Sequence, residues 1–263
     1  MKYFVISDVH SHYTEMMTAL SGTGFDVCDS THKIVLVGDA FDRGDESYKV
    51  LTFLKEMVER EKLIWVTGNH ELYILKRFLE GRFPSYRDTY KTFYDIAAEF
   101  SGKMDLTDSE VFSYCRAAGL EDLIKNNILP YYETQNYVFV HGALPSIKGE
   151  YNPDWRNTSF SSWTLPCMKN GMKSVMVDGL RVLDKTIVCG HSPAAYGNVR
   201  KDVDPTNWDD KKFDSIQRYK KDGSNKELYK PYYGDGVIGI DANCYKTSFV
   251  NCIVVEDGGL DGK

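Results

Sequence analysis

Apolar residues along this chain gather in short runs, and each run breaks off at a polar cluster. Residues 3–6 (Tyr-Phe-Val-Ile) lead into Ser7, Asp8, Val9 and His10. Residues 34–37 (Ile-Val-Leu-Val) lead into Gly38-Asp39-Ala40-Phe41-Asp42-Arg43-Gly44, and residues 63–66 (Leu-Ile-Trp-Val) into Thr67-Gly68-Asn69-His70-Glu71. Residues 137–140 (Tyr-Val-Phe-Val) stop at His141-Gly142, and residues 186–189 (Thr-Ile-Val-Cys) at Gly190-His191-Ser192-Pro193. Short, β-branched and bounded by turn residues, each run predicts a buried strand. Residues 15–20, 47–60 and 72–79 intervene with helical signals, the middle stretch placing Val50, Leu51, Phe53, Leu54, Met57 and Val58 on one face. Strands alternating with helices predict an α/β fold, whose chemistry collects past the carboxyl ends of the strands.

The remaining segments lack that strand-plus-polar unit. Residues 81–130 read as a helical insertion rich in Tyr and Phe, packed beside the sheet, with a helix start at Leu106-Thr107-Asp108-Ser109-Glu110. Residues 149–181 are loop-rich. Residues 198–236, with Pro205, Gly223 and Pro231, read as a long surface loop or lid. Two further strands, 237–244 and 249–255, are expected to pair antiparallel, and the tail 257–263 is expected to fray.

Bulk properties narrow the class. The 263 residues suffice for one large domain, expected to span 1–263. A net charge of −6 argues against a general nucleic-acid or anionic-membrane surface. The six cysteines form no CxxC pair, and several sit in apolar runs where a reduced, buried thiol is expected. No apolar run is long enough to span a bilayer, and the first strand leaves no room for a leader, so the expected location is cytoplasmic.

The strand ends carry the candidate chemistry. Asp8 and His10, two apart in an extended segment, point the same way and can chelate one divalent ion. Asp39 and Asp42 add carboxylates, Arg43 a planar fork for an anion, Asn69 an amide oxygen, and His70 a titratable ring. Glu71 suits the first turn of the following helix. Asp8, His10, Asp39, Asn69, His141 and His191 together suit Mn, Fe or Zn. Six ligands exceed one catalytic ion with open positions but fit two ions about 3.5–4 Å apart, with the centrally placed Asp39 between them. Arg156, beside Trp155, and Arg181 are further candidates for holding a phosphate.

Taken in order, DxH, GDxxDRG, GNHE, a lone strand-end His and a final GH resemble the calcineurin-like metallophosphoesterases. Their form is similar to the phosphoprotein phosphatase branch, small bacterial and phage serine/threonine phosphatases above all. The resemblance runs from Ser7 to His191 and implies a metallophosphoesterase-type β-sandwich flanked by helices. It assigns Asp8, His10 and Asp39 to one metal, and Asp39, Asn69, His141 and His191 to a second, Mn being the expected ion. It makes His70 the general acid with Asp42 beside it, and Arg43, Asn69 and Arg156 the groups that meet the phosphoryl oxygens. The implied reaction is direct attack by metal-activated water on a phosphorylated protein or peptide, at phosphoserine or phosphothreonine. A nucleotide substrate such as a diadenosine polyphosphate is the alternative, and a non-catalytic metal-binding scaffold a third. Two departures stand out. Ser7 and Ser11 flank DxH where the family has glycine, and Gly190-His191-Ser192-Pro193 lacks the second histidine of the diesterase branches.

Overall fold

A computed structural model describes residues 1–83, 87–148, 150–182, 184–204 and 207–258. Its strands, in chain order, are β1 Lys2–Ile6, β2 His32–Val37, β3 Leu63–Val66, β4 Ile128–Leu129, β5 Tyr132–Glu133, β6 Tyr137–Val140, β7 Ser146–Ile147, β8 Glu150–Tyr151, β9 Thr186–Pro193, β10 Tyr232–Gly234, β11 Val237–Asp241 and β12 Cys252–Glu256. Its helices are α1 Tyr13–Gly22, α2 Ser47–Glu59, α3 Asn69–Glu80, α4 Arg87–Ser101, α5 Asp108–Ala117, α6 Leu120–Asn127, α7 Gly171–Met176, α8 Ala195–Asn198, α9 Asp210–Gln217 and α10 Cys244–Thr247.

The strands form two five-stranded sheets, ordered β12-β1-β2-β3-β4 and β10-β11-β9-β6-β5. The sheets pack face to face, because alternate residues of each apolar run point to opposite sides and both sides are covered. Tyr3, Val5, Val35, Val37 and Val66 of the first sheet meet Phe139, Val188 and Ile240 of the second in one buried layer. The intervening residues Phe4, Ile6, Ile34, Leu36 and Trp65 face outward onto a helical layer that includes Met16, Val50, Leu54 and Ile74. Val138, Val140, Ile187 and Cys189 do the same beneath Trp155, Trp163, Met172 and Val175. Each such side chain taken fully out of water contributes about 1.5–3 kcal/mol before chain entropy is counted. The expected sandwich flanked by helices is what these two faces build.

β1, β2 and β3 run parallel in one sheet, and β6, β9 and β11 run parallel in the other. Parallel strands point their carboxyl ends the same way, so the polar clusters of both sheets meet along one edge. His141 Nδ1 bonds Val37 O at 2.9 Å and His191 N donates to Asp8 Oδ2 at 2.9 Å, which ties the two edges together.

Three expectations change. The last two strands do not pair: β11 joins β9 and β10, whereas β12 runs antiparallel to β1 in the other sheet. Asn243 and Ser248, both in the left-handed region at φ 55°, bracket α10 and turn the chain from one sheet to the other. Residues 198–236 are not a bare loop, since they carry α9 and the edge strand β10; Pro205 lies outside the described residues. Arg200 explains the order there. It is buried over the rings of Tyr196 and Phe213 and bonds Gln217 Oε1 at 2.8 Å. Asp257 is anchored rather than frayed, accepting from Thr134 Oγ1 and Asn136 N at 2.7 and 2.8 Å, while 259–263 lie outside the described residues.

Between β3 and β4 the described residues carry α4, α5 and α6. Thr107 caps α5 in a box with Glu110, and α4–α6 bury Phe93, Ile96, Phe112 and Ile124 in the layer that covers the first sheet. The chain after α6 supplies β4, a short strand beside β3 that the residue pattern did not reveal.

Candidate active site

The turns after β1 and β2, and His191 within β9, depart from strand geometry and bring side chains into the edge between the sheets. Asp8, His10, Ser11, Asp39, Asp42, Arg43 and His191 all have positive φ, between 47° and 72°. Asp and His tolerate this region better than most residues, yet each such position costs on the order of 1–3 kcal/mol unless surrounding contacts hold it. Those contacts are present. His10 N and Ser11 N donate to Asp39 O and Ala40 O at 3.0 and 2.8 Å. Ser11, where glycine was expected, is buried and accepts from Ser47 Oγ at 2.8 Å, so a hydroxyl bridge holds the turn. Ser7 and Asp8 fit against Gly190, where an added Cβ would collide with both.

Asp39 is the hub. Its Oδ2 lies 3.2 Å from His141 Nε2, 3.8 Å from His10 Nε2 and 3.9 Å from His70 Nε2. Candidate ligand atoms of His10, Asp39 and His70 lie within 4.8 Å of one another, as do those of Asp39, His141 and His191. Asp8 Oδ1 stands 3.9 Å from His10 Nε2, and Asn69 Oδ1 stands 3.3 Å from His141 Nε2 and 3.0 Å from His191 Nδ1. The six expected ligands therefore converge.

The hydrogen bonds behind them select the nitrogen that faces the cluster. His10 Nδ1 meets Phe41 O at 2.9 Å and His141 Nδ1 meets Val37 O at 2.9 Å. A carbonyl only accepts, so Nδ1 carries the proton and Nε2 is the atom turned toward Asp39. That arrangement fits divalent ions on either side of the Asp39 carboxylate.

The charges show the same demand for cations. Burial opposes charging the His141 ring, but Asp39 and Asp8 outweigh it and push its pKa up to about 10. Burial raises Asp8 to about 6, against the pull of His141. Burial lowers His10 well below the usual range, and burial together with the His141 charge lowers His191 to about 4, so both rings are neutral donors at pH 7.

His70 is different. Its Nδ1 meets Asp42 Oδ2 at 2.6 Å, and Asp42 is fixed by Thr92, whose Oγ1 donates to Asp42 Oδ1 at 2.8 Å and accepts from Asp42 N at 3.0 Å. Burial disfavours the His70 cation, but Asp39 and then Asp42 outweigh burial and raise its pKa above 6.5. An acid that must be protonated loses activity as pH rises through its pKa. Asp42→Asn removes part of what raises that pKa. The alkaline limb of the pH–rate profile on alkyl phosphates is expected to move to lower pH; a limb that stays in place assigns the proton to another group.

Glu71 does more than start a helix. Its carboxylate accepts from Gly68 N, Asp39 N and Ala40 N at 2.8–2.9 Å and so clamps the Asp39 loop onto α3. Burial, then the charge of Asp39, raises it to about 7 against those three donors. Gly38 serves the same loop: its φ is +76°, and an added Cβ would collide with the His141 ring. Gly38→Ala is expected to cost about 2–4 kcal/mol in a denaturant-unfolding measurement, from the left-handed penalty plus overpacking.

Arg43 is half-buried, stacked over the Tyr245 ring at 4.7 Å, with no ion pair among the described residues. Arg156 does not join the cluster. Its fork is engaged by Glu133 at 2.6 and 2.9 Å, and Glu133 also pairs with Lys185 just before β9 begins. Arg181 pairs with Asp235 at the turn before β11, again at the strand starts. A fork already filled by a carboxylate, on the wrong end of the strands, explains both.

Reasoning from residues alone overlooked Thr92, Tyr245 and Asp241. Thr92 and Tyr245 carried no local signal. Asp241 did, since it ends an apolar run as Asp8 and Asp39 do; it is buried beside Asp8, and burial followed by the Asp8 charge raises its pKa well above the usual range.

A bis(5'-nucleosyl)-tetraphosphatase, the asymmetrical enzyme PrpE of Bacillus velezensis, is 36% identical over 89 residues, 31% of this chain and 34% of that protein. The symmetrical bis(5'-nucleosyl)-tetraphosphatase of Pseudomonas fluorescens is 24% identical over 209 residues, 80% of this chain and 58% of that protein. The chain thus spans about a third to under two thirds of the length of these curated relatives. A crystal structure of a candidate diadenosine tetraphosphatase superposes with a TM-score of 0.50 at 16% identity, covering 99% of this chain and 95% of that one, a likeness of fold. The calcineurin-like phosphoesterase profile matches residues 1–234, and the chain belongs to that family.

Proposed function

We propose that this chain hydrolyses a P–O bond by direct attack of water, and that its substrate is a dinucleoside polyphosphate. The family uses a dinuclear divalent metal centre, and the converging donors fit one. Asp8, His10 and Asp39 would hold one ion; Asp39, Asn69, His141 and His191 would hold the other. The oxygen and imidazole donors suit Mn, Fe or Zn. When bound, the ions supply Lewis acidity, which lowers the pKa of water and neutralises phosphoryl charge.

The chain's own residues supply the rest. Arg43, with no carboxylate partner among the described residues and held on Tyr245, offers its fork to the phosphoryl oxygens. His70 gives its proton to the departing oxygen as the bond to phosphorus breaks, and Asp42 holds the imidazole by Nδ1 so that Nε2 is the proton-bearing atom at the reaction centre. The observation that carries the reaction is this pair: an oriented acid 3.9 Å from the carboxylate shared by both metal triads.

The names of the relatives favour the dinucleoside polyphosphate. A phosphoserine or phosphothreonine protein is the second reading. It is favoured by the intact Asp42-Arg43-Gly44 and Asn69-His70-Glu71 sequences and by Pro193 standing where a second histidine would serve a diesterase. The test is phosphate or nucleotide release by the Mn-loaded protein from diadenosine tetraphosphate and from a phosphoserine/phosphothreonine peptide, side by side, with a chelator control. Preferential, chelator-sensitive dinucleotide cleavage supports the first reading. Preferential release from the peptide replaces it with the second.

A further inference from the structure

Next to the candidate ligand His191 in the chain, Ser192 and Pro193 form part of the wall of a cavity of about 360 Å³. Facing them are Arg218 and Tyr219 at the end of α9, and Asn243 and Lys246 from the turn after β11. The volume is that of a small-molecule site.

Its charge is unusual for a chain of net charge −6. Lys246 Nζ and the Arg43 guanidinium both lie over the Tyr245 ring, at 5.1 and 4.7 Å from its centroid, so the phosphoryl end of the active site and the cavity share one aromatic support. Among the described residues, Arg43, Lys246 and Arg218 have no ion-pair partner. Asp214, the one acid among the described residues of the wall, accepts from Gln217 Nε2 at 2.8 Å and lies 4.0 Å from Arg200. A phosphorylated serine presents a single dianion, which Arg43 and the metal ions can hold. Two further cations beyond it suit a chain of phosphates.

The wall is also held in place. Tyr219 stands edge-on to Tyr229 at 5.4 Å. Asn225 braces it from both sides, donating to Arg218 O at 3.0 Å and accepting from Lys220 N at 2.9 Å. Buried Arg200 pins α9 through Gln217. The aromatic ring and the two cations are therefore presented by a built surface.

We propose that this cavity receives the nucleoside phosphate beyond the phosphoryl group bound at Arg43, with Arg218 and Lys246 against its phosphates and Tyr219 against its base. The inference rests on the dinucleoside polyphosphate reading. It is tested in the Mn-loaded full chain by the ratio of kcat/KM on diadenosine tetraphosphate to kcat/KM on p-nitrophenyl phosphate, which has no distal phosphate or nucleoside. Arg218→Ala and Lys246→Ala, both at exposed positions, are each expected to lower that ratio about tenfold, mainly through the KM of the dinucleotide. Tyr219→Leu is expected to lower it by a similar factor, about tenfold, from lost base stacking. Unchanged ratios in a wild-type background that cleaves the dinucleotide overturn the subsite alone. A wild-type protein that cleaves p-nitrophenyl phosphate and phosphopeptide but no dinucleotide overturns the substrate reading and the subsite together.

Discussion

Asp39→Asn is expected to leave a folded protein that no longer retains a metal pair and turns over no faster than the chelated wild type. The asparagine keeps Oδ1, which accepts from His70 N at 3.0 Å, so the loop has its anchor. It replaces Oδ2, the oxygen that faces His141, His10 and His70, with an uncharged NH2. Loss of a group that merely supports a ligand weakens metal binding by roughly 10–100-fold, and a carboxylate shared by two triads should cost at least that for each ion. A second readout needs no metal. His141 is raised to about 10 with Asp39 as the leading cause that raises it, so its titration in the metal-free variant, followed by NMR, should move to lower pH. A variant with unaltered metal stoichiometry and an unmoved His141 titration would remove Asp39 from the hub.

His70→Ala is expected to keep its metal and lose about 10²–10⁴-fold in kcat on alkyl phosphates, the range for a general acid. The loss should be far smaller on p-nitrophenyl phosphate, whose leaving group departs without a proton. This contrast separates an acid from a ligand. The geometry offers both roles, since His70 Nε2 lies close enough to Asp39 and His10 to complete a triad. If His70 were chiefly a ligand, the variant would lose metal and both substrates would suffer alike. The bond from Nδ1 to Asp42 and the raised pKa favour the acid.

How much of this was legible in the residues follows from where each contact lies. The candidate donors could be picked out because each follows an apolar run, Asp8 and His10 sharing the first. A strand end is local information, and Asp8, Asp39, Asn69, His141 and His191 are all placed by it. Their convergence from two sheets rather than one was not local, because it depends on which strands pair. β11 and β12 look like a hairpin in sequence, and the left-handed residues Asn243 and Ser248 send them to opposite sheets. Thr92 was invisible for a similar reason. It lies 50 residues from Asp42, on α4, and nothing near it in sequence marks it as the support of the Asp42–His70 pair. Arg156 illustrates the opposite failure. An aromatic-arginine pair reads as a phosphate group in waiting, but β5 brings Glu133 to it and fills the fork. The order within residues 198–236 came from Arg200, a charged residue whose burial among rings no polarity pattern announces.

Two divalent ions are expected to share Asp39. Anomalous diffraction from a crystal of the Mn-loaded protein tests this most directly. Two peaks are expected about 3.5–4 Å apart on either side of the Asp39 carboxylate, one near Asp8 and His10 and the other near Asn69, His141 and His191. A single peak, or a pair that does not include Asp39, would contradict it.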